Sequence, residues 1–217
     1  MKKIIEYKSI IFDCDGVILD SNRIKTDAFY ETALQYSENV ADIFVAYHRQ
    51  NGGISRYRKF EFLFSEILRR PPDAGEMDNL LAEYARLVRE GLLSCPVTEG
   101  LAELRTATCD ARWLVVSGGD QAELRRVFLE RNLRRFFDGG IYGAPDNKDE
   151  ILAREVGNGN IQNPAIFVGD SRYDYESSKR AGLDFLFISQ WTEFSGWQEF
   201  FGSNQIPSID CINQLAN

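Results

Sequence analysis

The sequence predicts an α/β fold, a doubly wound parallel sheet with an all-helical unit inserted early in the chain. Three observations carry this reading. Short apolar runs at 10–12, 113–116, 165–168 and 185–188 alternate with helical patterns, as expected for strands joined by crossover helices. The first three runs end in the polar residues Asp13, Ser117 and Asp170, and ligands of such sheets bind beyond the carboxyl ends of the strands. Finally, roughly seventy residues of helical pattern separate the first two runs, too many for a simple crossover. The expected division is a core of residues 1–20 and 95–217 and a helical subdomain of residues 21–94.

Ile10, Ile11 and Phe12, flanked by Glu6 and Lys8, read as a strand buried on both faces. Helices are expected over about 22–36 and 40–49. Phe60, Leu63, Phe64, Ile67 and Leu68 then form one apolar face, with Ser55 as N-cap and Pro71-Pro72 as the stop. Leu80, Leu81, Tyr84, Leu87 and Val88 repeat that face in a helix ending near Gly91. The core resumes with a helix from Pro96 to Ala107, the strand 113–116, a loop at Gly118-Gly119-Asp120, and a helix carrying Leu124, Val127 and Phe128 inward. Ile141-Tyr142 is a short strand, Lys148 opens a helix to Val156, and the strand 165–168 leads into a helix ending at Ala181 before Gly182. Phe185–Ile188 is the last clear strand. The aromatic residues Trp191, Phe194, Trp197, Phe200 and Phe201 behind it read as core packing rather than ligand stacking.

Asp13 and Asp15 follow directly on a buried strand. At about 4 Å and an effective dielectric near 20, two such charges repel by roughly 4 kcal/mol. A divalent cation, or one protonated carboxyl, relieves the conflict. Gly16 lets the chain turn where a side chain would block approach to the carboxylates. An isolated Asp-x-Asp-Gly is ordinarily a turn; here further polar stations follow downstream, each after an apolar run.

Asp13-Cys14-Asp15-Gly16-Val17 resembles the first motif of the haloacid dehalogenase-like superfamily, most of whose members are phosphohydrolases. Val115-Val116-Ser117-Gly118-Gly119 resembles the second motif, Lys148 the third, and Gly169-Asp170-Ser171-Arg172-Tyr173-Asp174 the fourth. The four occur in order and span essentially the whole chain. The resemblance implies a Rossmann-like core with a helical cap over the active site. It implies Asp13 as nucleophile and Asp15 as general acid and base. It also implies Mg²⁺ held by Asp13, Asp170 and the main-chain carbonyl of Asp15, with Asp174 behind them orienting Lys148 or a metal-bound water. Ser117, the Gly118 amide and Lys148 would grip the phosphoryl group. In the cap, Asn51-Gly52-Gly53-Ile54-Ser55-Arg56 is similar to a stretch in β-phosphoglucomutase-like relatives. His48, Arg56 and Lys59 are candidates for binding the rest of a substrate; the competing reading leaves His48 and Lys59 on a solvated helix face.

With 217 residues, 44% hydrophobic content, a net charge of −8 and pI near 4.9, neither nucleic acid nor an anionic membrane is the expected partner. No apolar run suffices to span a bilayer and no signal-peptide apolar region opens the chain. Cys14, Cys95, Cys109 and Cys211 show neither zinc spacing nor C-x-x-C pairing, and read as reduced thiols of a cytoplasmic protein. In a period-2 strand the Cys14 side chain points opposite to Asp13 and Asp15. The expected activity is hydrolysis of a small phosphorylated metabolite, by a monomer or homodimer. Asp15 argues against dehalogenation, since dehalogenases lack it. The alternatives are a β-phosphoglucomutase-like phosphomutase and a non-catalytic binding protein that kept the fold. The mutases typically carry Glu-Asp in the fourth motif and Lys-Pro in the third; Gly169-Asp170 and Lys148-Asp149 stand there instead.

Overall fold

The computed structural model describes residues 2–215. Six parallel strands form one sheet: β1 (Ser9–Phe12), β2 (Arg112–Asp120), β3 (Gly140–Ala144), β4 (Ala165–Gly169), β5 (Asp184–Ile188) and β6 (Ser208–Ile209), in the spatial order β3-β2-β1-β4-β5-β6. β1 is the point where the winding reverses, because β2 and β3 lie to one side of it and β4 to β6 to the other. The register pairs Phe12 with both Val115 and Val168. One or two residues further along, Asp13, Ser117 and Asp170 therefore reach the same edge of the sheet.

Helices α1 (Asn22–Leu34), α2 (Glu38–Gln50), α3 (Arg56–Phe62) and α4 (Glu76–Ser94) lie between β1 and β2 in the chain. Their apolar faces meet in an aromatic cluster of Phe29, Phe44, Phe60 and Tyr84, with ring centroids 4.3 to 6.0 Å apart. Around the sheet lie α5 (Leu101–Ala107), α6 (Gln121–Glu130), α7 (Lys148–Gly157), α8 (Arg172–Arg180) and α9 (Trp197–Ser203). Ile10 and Phe12 pack into the larger core and Ile11 into the second one, as a central strand buried on both faces requires.

Several local expectations are corrected. The expected loop at Gly118-Gly119-Asp120 is the end of β2, held extended by pairing of Asp120 with Ala144 after a register shift. Residues 96–100 are not helical: Val97 bridges back to Leu19, and the helix starts at Leu101 behind Gly100. The third helical segment changes to a π-helical turn over Leu63–Leu68 and ends before the proline pair, at Arg69 with φ +52°. The helix expected to end near Gly91 runs to Ser94. The short edge strand β6 has no counterpart in the sequence reading. Phe201 is buried against Phe187 at 4.2 Å, and Phe194, Trp197 and Phe200 pack on the same core as expected, although Phe194 also reaches the cavity beneath the helical unit.

Candidate active site

A cavity of 290 Å³ opens beyond the carboxyl ends of β1 and β4, beneath the helical unit. That lies at the small end of sites for small molecules, roughly 300–1,000 Å³. Asp13 leaves β1 at its floor and is 3% exposed. Its Oδ1 accepts from the Cys14 amide at 2.7 Å, and its Oδ2 lies 2.9 Å from the Lys148 ammonium. Burial pushes the Asp13 carboxyl up to about 7, against the opposing pull of Lys148 and with the aid of the Asp174 and Asp15 charges. Cys14 is fully buried and its thiol is pushed well up, mainly by burial, so it stays protonated.

Asp13, Asp170 and Asp174 each offer a carboxylate oxygen, all within 4.8 Å of one another. Burial, then the Asp13 and Asp174 charges, push the Asp170 carboxyl well up. A divalent cation fits this group on chemistry, since the single Lys148 ammonium leaves the three buried carboxyls short of positive charge. The Asn22 amide also donates to Asp170, at 2.7 Å. Gly16 has φ +75°, and a Cβ there would stand 2.1 Å from Asp170 Oδ2, so only glycine lets the two chain segments meet.

Asp174 comes into the group by another route than helical spacing with Asp170, because α8 starts only at Arg172. A capping box returns it instead. Its carboxylate accepts from the Ser171 amide at 3.1 Å and the Ser171 hydroxyl at 2.7 Å, while its amide donates back to Ser171 Oγ at 3.2 Å. The other Asp174 oxygen accepts from Lys148. Lys148 is thus gripped between Asp13 and Asp174, which outweigh its burial and hold its ammonium charged.

The Asp15 side chain lies outside the carboxylate group. It pairs with Lys25 at 2.5 Å and accepts from the Ser21 hydroxyl at 2.6 Å. Burial would raise its carboxyl, but Lys25 and Ser21 outweigh that and hold it below its ordinary range. Ser117 is fully buried and does not line the cavity, because its Oγ turns to accept from the Gly119 amide at 3.0 Å. Gly118 does line it. A Cβ on Gly118 would stand 2.1 Å from the Gly53 carbonyl oxygen, so the Gly-rich turn between α2 and α3 rests directly on the end of β2.

His48, Arg56 and Lys59 all line the cavity and all are buried, which removes the solvated-face reading for His48 and Lys59. Arg56 pairs with Glu123 of α6 at 3.2 Å and covers the Tyr84 ring at 5.2 Å. Tyr57 donates to Asp120 at 2.8 Å beside it. Lys59 donates to His48 Nδ1 at 2.6 Å. Burial, and then the Lys25 charge, bring the Lys59 ammonium down to about 7, while burial and Lys59 keep the His48 ring neutral. The sequence reading missed Lys25, Asn22, Glu123 and Glu193. Each lies on an ordinary polar helix or loop position whose partner is 10 to 167 residues away, which leaves no local signal.

A family model described as haloacid dehalogenase-like hydrolase matches residues 7–182. None of the curated proteins matches the chain. Among solved structures, the fold is similar to that of a predicted phosphatase from Clostridium acetobutylicum, with 16% identity over 97% of this chain and 96% of that one and a TM-score of 0.73. It is also similar to the HAD hydrolase, family IA, variant 3, from Entamoeba histolytica, with 16% identity over 95% and 94% and a TM-score of 0.73. For beta-phosphoglucomutase from Clostridium difficile, the values are 17% identity over 96% and 92% and a TM-score of 0.69. The matched family model covers most of the chain, including all four motifs, and this protein belongs to the haloacid dehalogenase-like hydrolases.

Proposed function

We propose that this protein is a Mg²⁺-dependent phosphatase of small phosphomonoesters, working through an aspartyl-phosphate on Asp13. The observation that carries this reading is the buried Asp13 carboxylate at the cavity floor, backed by Lys148 and flanked by Asp170. An Asp13 oxygen attacks phosphorus, and the bond from phosphorus to the leaving oxygen breaks as Asp15 gives that oxygen its proton and becomes the carboxylate its Lys25 partner favours. A water molecule then attacks the same phosphorus, releases Asp13, and gives its proton to Asp15. The Lys25 pair keeps Asp15 a carboxylate, suited to the base half of its role. Mg²⁺ between Asp13 and Asp170 would neutralise charge on the phosphoryl oxygens and on the attacking carboxylate. Lys148 holds Asp13 in place, and Gly118, which lines the cavity, would offer its amide to the phosphoryl group. The helical unit acts as a cap that keeps bulk water out.

The mutase alternative draws on one specific observation. The cap turn at Gly53 sits tightly on Gly118, and a closed site would protect the intermediate until a sugar hydroxyl arrives. A screen of phosphorylated metabolites with Mg²⁺, following inorganic phosphate, tests hydrolysis. β-Glucose 1-phosphate with catalytic bisphosphate tests the mutase. Free phosphate from several monoesters supports the proposal; rapid glucose 6-phosphate formation with almost no free phosphate overturns it.

A further inference from the structure

Lys59 is 2% exposed and lines the cavity from α3. The other buried cations of the site are matched by carboxylates: Lys25 by Asp15, Arg56 by Glu123, and Lys148 by Asp13 and Asp174. Among the described residues, no carboxylate lies within ion-pair distance of Lys59. Its Nζ donates once, to His48, and stands 5.3 Å from the centroid of the Phe29 ring. An ammonium has three donors. Two of them are therefore left for whatever enters the cavity.

The hydrogen bonds behind Lys59 run in one direction. Because Lys59 donates to Nδ1, His48 carries its proton on Nε2 and donates to Thr26 Oγ1 at 3.0 Å. The Thr26 hydroxyl then donates to the Glu193 carboxylate. Lys59, His48 and Thr26 sit on α3, α2 and α1, while Glu193 sits on the loop after β5. The chain thus ties three helices of the cap to the core and fixes the ammonium at the cavity wall.

We propose that Lys59 is a specificity-determining residue that receives a second anionic group, a carboxylate or a second phosphate, on the leaving portion of the substrate, with His48, Thr26 and Glu193 positioning it. A buried cation with no counter-charge of its own is costly, and a substrate anion supplies that charge. A neutral hydroxyl in the same place does not. This inference rests on the phosphatase reading above.

The test is steady-state phosphate release with two matched pairs of substrates. One pair is 2-phosphoglycolate against 2-hydroxyethyl phosphate, which tests a carboxylate. The other is glucose 1,6-bisphosphate against glucose 1-phosphate, which tests a second phosphate. The wild-type enzyme is expected to prefer the doubly anionic member of one pair at least tenfold in kcat/KM, chiefly through KM. Lys59→Met should bring that ratio close to one. Thr26→Val should lower the ratio and Thr26→Ser should restore it, whereas damage to the fold alone would lower both members of a pair together. Equal kcat/KM within both pairs for the wild type, or a preference that survives Lys59→Met, overturns the inference. Phosphate release from none of the four, by an enzyme that releases it from other monoesters in the metabolite screen, overturns this inference and leaves the hydrolase reading standing; no release in the screen either overturns both; release from all four at equal efficiency refutes the inference alone.

Discussion

Lys59→Met tests the electrostatics of the cap without any substrate. The ammonium comes down from 10.5 to about 7 in the folded protein, because it is buried beside Lys25 and, further off, Lys148; Asp15 and Glu193 oppose the shift only in part. At pH 7 that gap costs roughly 4 kcal/mol of folding stability. Between pH 7 and 10.5 the unfolded chain binds a proton that the folded chain does not, so this contribution to stability rises with pH. Methionine fills a similar volume and does not titrate. It loses the bond to His48, worth about 1–3 kcal/mol if Nδ1 is left without a donor. The variant should therefore be about 2 kcal/mol more stable than the wild type at pH 7. Urea unfolding of both proteins at pH 7 and pH 10 gives the difference free of every other titration. The variant's advantage should shrink or reverse by about 3 kcal/mol over that interval. Parallel stability curves, within about 1 kcal/mol, would mean that Lys59 stays protonated in the folded protein as readily as in the unfolded chain, and the reasoning would fail.

Asp13→Asn should lower phosphatase turnover by on the order of 10⁴-fold or more, because an amide oxygen is a poor nucleophile; a folded variant with near wild-type rate in a phosphate-release assay would remove Asp13 from that role. Exhaustive chelation should abolish activity and Mg²⁺ should restore it, and turnover that persists in chelator would refute the carboxylate group as a metal site. Arg56→Ala and Glu123→Ala should give the same kinetic phenotype on large and small substrates, and the double variant should be no worse than either single one, since both break one bond between cap and core; a loss confined to Arg56→Ala on large substrates would show that Arg56 contacts substrate directly. Gly118→Ala should raise KM and expose the cap to proteolysis, because the new methyl would meet the Gly53 carbonyl at 2.1 Å; unchanged kinetics and unchanged cleavage would show that the cap turn is free to move aside.

The apolar runs at 10–12, 113–116, 165–168 and 185–188 and the polar residues closing the first three were legible because a buried parallel strand needs a continuous run and must end where it meets solvent or ligand. The helical insertion was legible from its length and its 3.6-residue spacing. Several features were decided only when the elements packed together. Gly118 and Gly119 read as a loop, yet pairing with β3 draws them into β2. β6 pairs through only two residues, which is too short to carry a pattern. Asp15 and Lys25 lie ten residues apart, and their pairing depends on the angle at which α1 leaves β1. His48 falls in helical register with Ala41, Phe44 and Val45, and Lys59 stands beside Phe60, so both are buried on the apolar faces of their helices against the Phe29 ring, where their residue types gave no hint of burial. Periodicity reports one face of a helix against one partner. Where that face runs on over the cavity, as on the cap helices, its polar positions read as solvated by residue type and are buried by tertiary structure, and there the chain placed Lys59 without a carboxylate partner among the described residues.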